Sequence, residues 1–518
     1  MHLARRTDWI IAAIAQRRSR PDQIGRLPRC DTFGNLLPGP RMTSSLPANR
    51  VWIAQCEDPV LGASYGPARG GRPMELPEDV ALTQPLLLLR SLFEQSGLDP
   101  IHRGTAGWNP LGDLISPGDA VVLKPNWVND RNSLPDGSFE CLVTHTSVIE
   151  AVLHYVVLAK PGSIIVGDAP IQDCDFDNLR DQCGLDALRD RFAKRGHEIQ
   201  ICDFRLTKMK GLFDDRERRE PDSDGYCLFD IGDDSWLTPI TDDRTAFRVA
   251  NYDPDVLESN HRPGTHRYLV ARPIIDADVI INLPKLKTHK KAGVTGALKN
   301  MVGINGFKEY LPHHRKGGSA DGGDCYDGSR WLKKLAEDSV DRANRGRGRL
   351  SRYFFTRLAG LETRLNAALH EDDRNLDGSW HGNDTVWRMC LDLQRIVHYG
   401  TSDGRISDAR QRKLITITDA IIAGERDGPL APTPRPLGVM TLGTNVAALE
   451  WVHCMLMRID PRKIPLVVHA FDETAWPLAD FSPEDIEICV NGEILSDPRR
   501  IESFSREFVA PAGWTGRY

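Results

Sequence analysis

Six short runs of β-branched and aliphatic residues, each ending in or leading to a polar residue, constrain the fold of this 518-residue chain most. Continuous apolar runs of this length are typical of strands buried on both faces in the parallel sheet of an α/β protein. The runs and their polar residues are 120–123 with Lys124, 163–167 with Asp168, 198–202 with Asp203, 278–282 with Lys285, 414–418 with Asp419, and 437–442 with Asn445. We therefore predict an α/β fold with mostly parallel sheets and flanking helices.

Residues 147–160, between the first two runs, have the spacing of apolar side chains that is typical of a helix. A strand, a helix and a second strand in this order form a β-α-β unit, which joins parallel strands. Ligands bind beyond the carboxyl ends of the strands in open parallel sheets, so the polar residues that end the runs are predicted to converge on one site. The alternative is that each polar residue only ends its strand where the chain meets water.

Changes of composition along the chain predict four regions. Residues 1–48 are rich in Arg and Pro and include a second methionine, Met42, which indicates a disordered extension or a start codon placed too early. Residues 49–316 are predicted as the main α/β domain and residues 384–518 as a second α/β lobe. Residues 317–383 are Gly-rich, then Arg-rich and then helical in pattern, and are predicted as an insertion or lid.

Charge and cysteine content exclude several classes of protein. The formal net charge of -6 argues against a nucleic-acid binder, although the insertion is locally basic. The 11 cysteines lack the spacing of a zinc ribbon or an iron-sulfur site, so we expect reduced thiols and no iron-sulfur cluster. Because no apolar run approaches the ~20 residues of a membrane helix, we predict a cytoplasmic protein with no membrane insertion, and we leave homo-oligomer formation open.

Residues 282–306, NLPKLKTHKKAGVTGALKNMVGING, contain the densest group of positive charge and glycine in the chain. A glycine-containing loop lets backbone N–H groups approach anionic oxygens, and lysines supply positive charge. The segment lacks the G-K-[ST] ending of a Walker A loop, so an ordinary ATPase is disfavoured. We predict a binding site for a small anionic ligand here.

The lysines of this segment divide by their sequence neighbours. Lys290 and Lys291 are predicted to face solvent, as lysine runs usually do. Lys299 lies among apolar residues, and because desolvation lowers the pKa of a lysine, it is the candidate for covalent chemistry. His289 is the candidate acid/base group. Residues predicted to bind the anionic substrate, since they follow or alternate with apolar strand residues, are Lys124, Asn126, Lys285 and Lys287.

The phrases VVLKPNWV, IIVGDAP, VIINLPKLKTHKKAGVTGALKNMVGI, GNDTVWRMCLDL and ITDAIIAGERDGPLAP occur in this order between residues 121 and 432. Together they resemble the domain-of-unknown-function 362 family, over roughly residues 118–470. The resemblance implies an α/β fold, while the chemistry of the family is uncharacterised. Some members carry an appended iron-sulfur module, which this sequence lacks.

Residues 289–299 are also similar to the H-x-x-A-G-x-[ST]-G-x-x-K segment of nickel-pincer lactate racemases. The similarity implies that His289 is an acid/base group and that Lys299 tethers the pincer cofactor that holds nickel. It further implies that His313 or His314 ligates the metal. The remaining motif positions, implied to contact the cofactor, are Gly293, Thr295 and Gly296. Asp168, a catalytic candidate here, stands where the racemases have a second catalytic histidine.

Sequence position alone supports a metal role for the two adjacent histidines and adds two further candidate residues. Even without a pincer, His313 and His314 offer ligands to a divalent metal, although adjacent histidines in a Gly-rich loop are often surface residues. Carboxylates close to them in sequence are Asp324 and Asp327. His145 precedes a helix N-terminus, which favours anions, and is a candidate substrate-binding residue. Asp419 is the preferred catalytic carboxylate, and helix capping is its alternative role.

These observations lead us to expect an enzyme that acts on a small anionic metabolite, such as a carboxylate, phosphate ester or activated sugar, by His/Lys acid-base chemistry. The reaction could be metal-assisted and racemase-like or redox-like. The alternative is a non-catalytic anion- or metal-binding assembly factor in cofactor or surface-polysaccharide biosynthesis. A proton donor and an electrophile-stabilising group in one pocket would favour the enzyme, because a binder needs only complementary charge.

Overall fold

A computed structural model describes residues 46–56, 59–209, 216–218, 225–249, 252–346, 348–370 and 376–518. The predicted extension of residues 1–48 lies almost entirely outside the described residues. The strands are β1 Arg50–Gln55, β2 Ala120–Pro125, β3 Ser163–Asp168, β4 Gln200–Asp203, β5 Thr207–Met209, β6 Arg216–Arg218, β7 Tyr226–Asp230, β8 Phe247–Arg248, β9 His261–Arg262, β10 Thr265–Ala271, β11 Val279–Leu283, β12 Lys285–His289, β13 Gly293–Thr295, β14 His314–Arg315, β15 Lys413–Asp427, β16 Ala431–Gly443, β17 Glu487–Val490 and β18 Glu493–Ile494.

The helices pack on both faces of the main sheet or extend from it. They are α1 Gln84–Ser96, α2 Thr146–Leu158, α3 Phe176–Cys183, α4 Leu185–Lys194, α5 Pro254–Asn260, α6 Arg272–Asp276, α7 Trp331–Arg345, α8 Arg349–Leu369, α9 Val386–Tyr399, α10 Val446–Leu456 and α11 Pro465–Val468. None of the helices in the described part of the chain is both long and apolar enough to cross a bilayer.

An 11-stranded sheet forms the centre of the fold, and its main path runs in the order β18-β17-β1-β16-β15-β11-β2-β3-β4. The strands from β15 to β4 are parallel to their neighbours. The six apolar runs all form strands of this sheet, and the β-α-β unit of β2, α2 and β3 is present. The predicted α/β fold with a mostly parallel, helix-flanked sheet is therefore confirmed.

The run of residues 437–442 was predicted to lie parallel to the other strands, but it forms part of β16, which is antiparallel to its neighbour β15. Strand β16 pairs antiparallel with β15, with Thr416 opposite Gly443, so the chain leaves β16 towards the amino ends of the parallel strands. Asn445 consequently does not join the other polar residues. It caps α10 instead, because its side-chain oxygen accepts hydrogen bonds from the Ala447 and Ala448 N–H groups.

Both predicted lobes contribute strands to this same sheet. Strands β1 to β4 and β11 come from residues 49–316, and β15 to β18 come from residues 384–518. The two sets pair at several places: β11 and β12 both pair parallel with β15, and β1 lies between β16 and β17. Residues 44–518 accordingly form one compact unit.

Residues 282–306 were predicted to form a loop, but most of them form strands and a 3-10 helix. After Pro284 the chain continues beside β15 as β12, whose Lys285 lies opposite Asp419. Strand β12 then turns back and pairs antiparallel with β13, and a 3-10 helix follows at Lys299–Ile304. His289 is therefore held by strand pairing and Lys299 by a 3-10 helix, which fixes their positions more firmly than a loop would.

The sheet has an apolar layer on each face. Ile280 of β11 belongs to one layer, together with residues of α9 and α10. Val279 and Ile281 of the same strand belong to the other layer, together with residues of α1 and α2. Side chains of a strand alternate between its two faces, so this division explains why β11 reads as a continuous apolar run.

The predicted insertion contains two helices, α7 and α8, that pack against each other. Helix α8 buries Ala359, Asn366 and Ala367 but leaves large apolar side chains such as Leu350 and Phe354 exposed. A helix with so few buried side chains gains little stability from packing. We expect it to open independently of the central sheet.

Native-state hydrogen exchange tests this difference in local stability. We expect the backbone amides of α8 to exchange faster than those of β11 and β15 by a factor of at least about 100, because the strand amides exchange only when the whole sheet unfolds. Mass spectrometry of peptic peptides would measure both rates. Equal protection of α8 and β11 would contradict a separately opening insertion.

Candidate functional site

A cavity of about 310 Å³ lies beyond the carboxyl ends of β2, β3 and β12. Six of the predicted site residues line it: Asn126, Asp168, His289, Thr295, Lys299 and His313. The other eight do not: Lys124, His145, Lys285, Lys287, Gly293, Gly296, His314 and Asp419. The cavity is thus the place where strand ends converge, as the parallel sheet predicts, and two of the remaining residues, Lys124 and Lys287, contact residues that line it.

His289 ends β12 and is held in one tautomer by the backbone that follows it. Its Nδ1 accepts hydrogen bonds from the N–H groups of Lys291 and Ala292, at 3.0 and 3.1 Å. Nδ1 therefore carries no proton, and Nε2 bears the N–H of the neutral ring. Burial, followed by the charge of Lys299, holds the pKa of His289 well below its usual range. His289 is a neutral hydrogen-bond donor in this geometry, and its predicted acid/base role stays a prediction.

His313 has the opposite arrangement. Its Nδ1 lies 2.8 Å from the Leu311 carbonyl oxygen and donates to it, so Nε2 carries the lone pair. Burial, followed by the charges of Lys291 and Lys299, keeps its pKa well below the usual range. His313 has a lone pair at Nε2 that can accept a proton or ligate a metal, and its predicted role as a metal ligand stays a prediction. The cavity has one imidazole that donates and one that accepts.

Lys299 begins the 3-10 helix and contributes its amino group to the cavity. Its side chain is 7% exposed, and among the described residues its Nζ has no hydrogen-bond or ion-pair partner. Burial lowers its pKa, and the nearby Cys390 thiol offsets this only in part. An amine with a lowered pKa is a stronger candidate for base or nucleophile, because more of it is unprotonated at neutral pH.

Three lysines that line the cavity were assigned to solvent or not singled out from the sequence: Lys290, Lys291 and Lys308. The prediction that Lys291 faces solvent was wrong, because it is 7% exposed and its Nζ lies 3.4 Å from Asp377. Lys308 was not singled out, yet it lines the cavity and donates a 2.7 Å hydrogen bond to the Ala169 carbonyl. Burial lowers the pKa of Lys308 to about 7. Lys290 is half-buried and pairs with Asp377 at 3.1 Å.

A buried ion pair joins the ends of β2 and β3 behind the cavity. Lys124 Nζ lies 2.8 Å from Asp168 Oδ1, and both side chains are almost fully buried. Asp168 also accepts the N–H groups of Trp127 and Ala169, at 2.6 and 2.8 Å. Its carboxylate is therefore satisfied by three donors, which indicates a positioning role for both residues.

Asparagine side chains connect this ion pair to the strands beside it. Asn300 accepts a 3.0 Å hydrogen bond from the Asn126 amide and donates one of 2.8 Å to Asn282. The Asn126 oxygen in turn accepts from Lys287 Nζ at 2.8 Å. Lys287 is fully buried and has no carboxylate within ion-pair distance among the described residues, and burial lowers its pKa to about 7. Lys287 supports Asn126 from behind, and does not itself reach the cavity.

Lys285 and Asp419 form a separate buried cluster away from the cavity. Their side chains are 2.5 Å apart and fully buried, and Tyr65 bonds to both, at 2.7 Å from Lys285 and 2.8 Å from Asp419. The His145 ring stacks on Tyr65 with centroids 3.9 Å apart, and its Nδ1 caps α2 by accepting the Ser147 N–H. The predicted catalytic role of Asp419 and substrate-binding roles of Lys285 and His145 are thus replaced by structural ones.

The matching family can now be set beside this geometry. Residues 235–455 match the sequence model of the domain of unknown function 362, or DUF362. This segment is a DUF362 domain. It supplies His289, Lys299 and His313, whereas Asn126 and Asp168 come from the chain before it. The family prediction is confirmed, and the matched residues lie inside the region from which it was made.

Two further comparisons describe more distant similarity. A thylakoid-associated protein of Synechocystis sp. is 22% identical over 355 residues, which are 68% of each chain. A structural-genomics crystal structure of a Thermotoga maritima protein aligns with 67% of this chain at 10% identity, with a TM-score of 0.30. This chain spans only 56% of that protein, and a TM-score of 0.30 is too low to establish a common fold. The similarity to lactate racemases stays a prediction.

Close packing explains several glycines of the DUF362 domain. A Cβ atom at Gly303 would overlap the Asp168 carboxylate, and one at Gly296 would overlap the carboxylate of Glu450. Gly293 has a φ of +82°, which side-chain-bearing residues rarely adopt. The predicted cofactor-contacting residues Gly293 and Gly296 therefore have structural reasons to be glycine. Thr295 does line the cavity, and its buried hydroxyl has no hydrogen-bond partner in the described structure.

Replacing Asp419 with asparagine tests the structural assignment of the Lys285 cluster. Because Asp419→Asn leaves the buried Lys285 charge without its counter-ion, we expect the free energy of unfolding to fall by about 3–5 kcal/mol. The exposed Asp408→Asn is the matched control and should change it by less than about 0.5 kcal/mol. Denaturant unfolding followed by circular dichroism gives both values. A loss at Asp419 no larger than that at Asp408 would refute the assignment.

Proposed function

We propose that the protein is an enzyme that binds a small carboxylate-bearing metabolite in this cavity and moves a proton at its carbon atom. The observation that carries the proposal is the buried amino group of Lys299, which faces the cavity without a partner among the described residues. A purely structural lysine would be paired, since burying an unpaired cation is costly. An amine without a partner is available to a substrate.

Charge supports an anionic ligand. Neither Lys299 nor Lys308 has a carboxylate within ion-pair distance in the described structure, while the nearby Asp168 and Asp377 are paired with Lys124 and with Lys290 and Lys291. A bound carboxylate would offset the excess positive charge and stabilise the ammonium form of Lys308, which would hold it. The volume of about 310 Å³ lies at the lower end of the range of small-molecule sites.

The arrangement of donors and acceptors supports proton transfer rather than binding alone. His289 presents a neutral N–H, which can donate to a carbonyl or carboxylate oxygen as negative charge develops on it. Lys299, when unprotonated, can take a proton from the adjacent carbon atom, and His313 Nε2 can accept one as well. Lys308 would hold the carboxylate. Isomerisation or racemisation of a substrate by this route needs no external oxidant.

The pincer-type cofactor implied by the racemase similarity is the second form of this proposal. The residues present are compatible with it, because Lys299 Nζ is free for attachment and His313 Nε2 for metal ligation. Such a group would supply hydride chemistry when bound.

We propose a cytoplasmic location for the enzyme, since the ten cysteines of the described residues are all free thiols.

Deuterium exchange gives a test that requires no knowledge of the product. The untagged protein is incubated in D2O with 2-hydroxy, 2-amino and 2-keto carboxylates, and loss of the Cα proton signal is followed by NMR. We expect one class to exchange and Lys299→Met to slow the exchange by at least about 100-fold, the usual contribution of a general base. Lys194→Met, an exposed lysine on α4, is the matched control.

The possible outcomes separate the enzyme from the binder. If a carboxylate binds, as measured by calorimetry, but its Cα proton is not exchanged, the assembly-factor alternative is favoured. An equal exchange rate in Lys299→Met would refute the assigned role of Lys299. An added mass on Lys299 in protein from its native host would favour the tethered cofactor.

The lowered pKa of Lys299 makes a second prediction. Only the unprotonated amine reacts with acetic anhydride, so the rate of Lys299 acetylation should reach half its maximum below pH 10.5, the ordinary pKa of lysine. Peptide mapping by mass spectrometry assigns the rate to Lys299, with N-acetyl-lysine amide as the reference in the same tube. A midpoint at or above that of the reference would mean that the amine is not desolvated.

A further inference from the structure

Three buried side chains outside the cavity lie close enough to share a metal ion. They are His314 on β14, Cys325 in the Gly-rich turn and Glu337 on α7, and one ligand atom from each lies within 4.8 Å of the other two. All three residues are at most 6% exposed. We propose that they form a binding site for a divalent metal of the zinc class, separate from the cavity and independent of the proposed reaction.

The state of His314 points to a ligand that the chain itself does not supply. His314 is 4% exposed, and its buried Nδ1 has no hydrogen-bond partner in the described structure. A buried ring nitrogen without a partner loses its hydrogen bond to water and gains nothing in return. Metal ligation at the imidazole is a recurrent way to use such a lone pair.

The chemistry of the three groups favours zinc over harder cations. An imidazole, a thiolate and a carboxylate together carry two negative charges, which a divalent cation neutralises. Nitrogen and sulfur ligands suit zinc, whereas calcium and magnesium prefer all-oxygen sites. Tetrahedral zinc bonds place ligand atoms roughly 3.3–3.8 Å apart, so a closure of about 1 Å by side-chain rotation would complete the set. Three protein ligands leave a fourth position for water.

The backbone around the site is already closed into a tight unit. The Cys325 N–H donates to the Gly317 carbonyl at 3.0 Å, and the Gly317 N–H donates to Glu337 Oε1 at 2.9 Å. A Cβ atom at Gly318 would overlap the Gly328 carbonyl, which explains a glycine there. The turn thus brings Cys325 beside Glu337 before any metal binds, so little ordering entropy opposes binding.

Asp324, the carboxylate suggested by the sequence as a partner for the histidines, is committed elsewhere. It accepts the Asp384 N–H at 3.0 Å and the Thr385 hydroxyl at 2.6 Å. The two histidines also have different surroundings, since His313 lines the cavity and His314 does not. The metal would therefore hold β14 from one side while His313 faces the cavity from the other. It would not contact the substrate.

The competing explanation is a metal-free polar cluster. Glu337 already accepts a hydrogen bond from Tyr326 at 3.2 Å, and the Cys325 thiol also donates to it. In that case Cys325 keeps its proton and the His314 nitrogen stays unpaired. The two explanations differ in whether Cys325 becomes a thiolate bound to metal, which cobalt substitution reports directly.

The test uses untagged full-length protein, treated with EDTA, dialysed and titrated with cobalt(II). We expect one equivalent to bind and to produce a near-ultraviolet thiolate-to-cobalt charge-transfer band, which zinc then abolishes by displacement. Cys325→Ser should remove the band, and Glu337→Gln should weaken cobalt binding by more than about 100-fold, since even residues outside the ligand shell can cost that much. Cys489→Ser, another buried thiol, is the matched control and should retain the band.

Each outcome decides the proposal. Failure of the wild-type protein to bind a stoichiometric metal overturns it, and so does a charge-transfer band that persists in Cys325→Ser. If Cys325→Ser does not fold, as judged by circular dichroism, the wild-type titration and Glu337→Gln still test it. A cobalt spectrum without a thiolate band in the wild type would also overturn the ligand set.

Discussion

The buried ion pair between Lys124 and Asp168 is the interaction on which the cavity depends. It joins the ends of the neighbouring parallel strands β2 and β3. Its carboxylate also accepts hydrogen bonds from the Trp127 and Ala169 N–H groups, in the loops that follow these two strands. Both loops contribute to the cavity lining. Such a pair costs desolvation energy that a pair of apolar residues would not, so its value lies in fixing geometry rather than in adding stability.

Around this pair the protein buries more amino groups than it neutralises. Lys124, Lys285 and Lys291 have carboxylate partners, but Lys287, Lys299 and Lys308 have none within ion-pair distance among the described residues. The free energy of their desolvation must be met by the packing of the two apolar layers. Several buried amino groups without counter-ions at one end of a sheet are typical of the charged surroundings found at functional sites.

Local sequence pattern was sufficient for the elements and for part of the site. Apolar runs located β2, β3 and β11, and the rule for parallel sheets brought Asp168, His289 and Lys299 to one cavity. The direction of β16 could not be read, because an apolar run has the same pattern in either orientation. The burial of Lys291 depends on Asp377, and His314 has neighbours 11 and 23 residues further along the chain. Such partners are set by tertiary packing, and no local spacing rule signals them.

The fixed tautomer of His289 gives the cavity a built-in polarity. One imidazole can only offer a proton and the other, His313, can only receive one. A molecule that spans both rings must place an acceptor atom at His289 and a hydroxyl or amino group at His313. In the reversed orientation a donor would face the donor His289, and an acceptor would face the acceptor His313. If the proposed function holds, this polarity would distinguish the two ends of a bound ligand, and a symmetric diacid would fit less well than a hydroxy or amino acid of the same size.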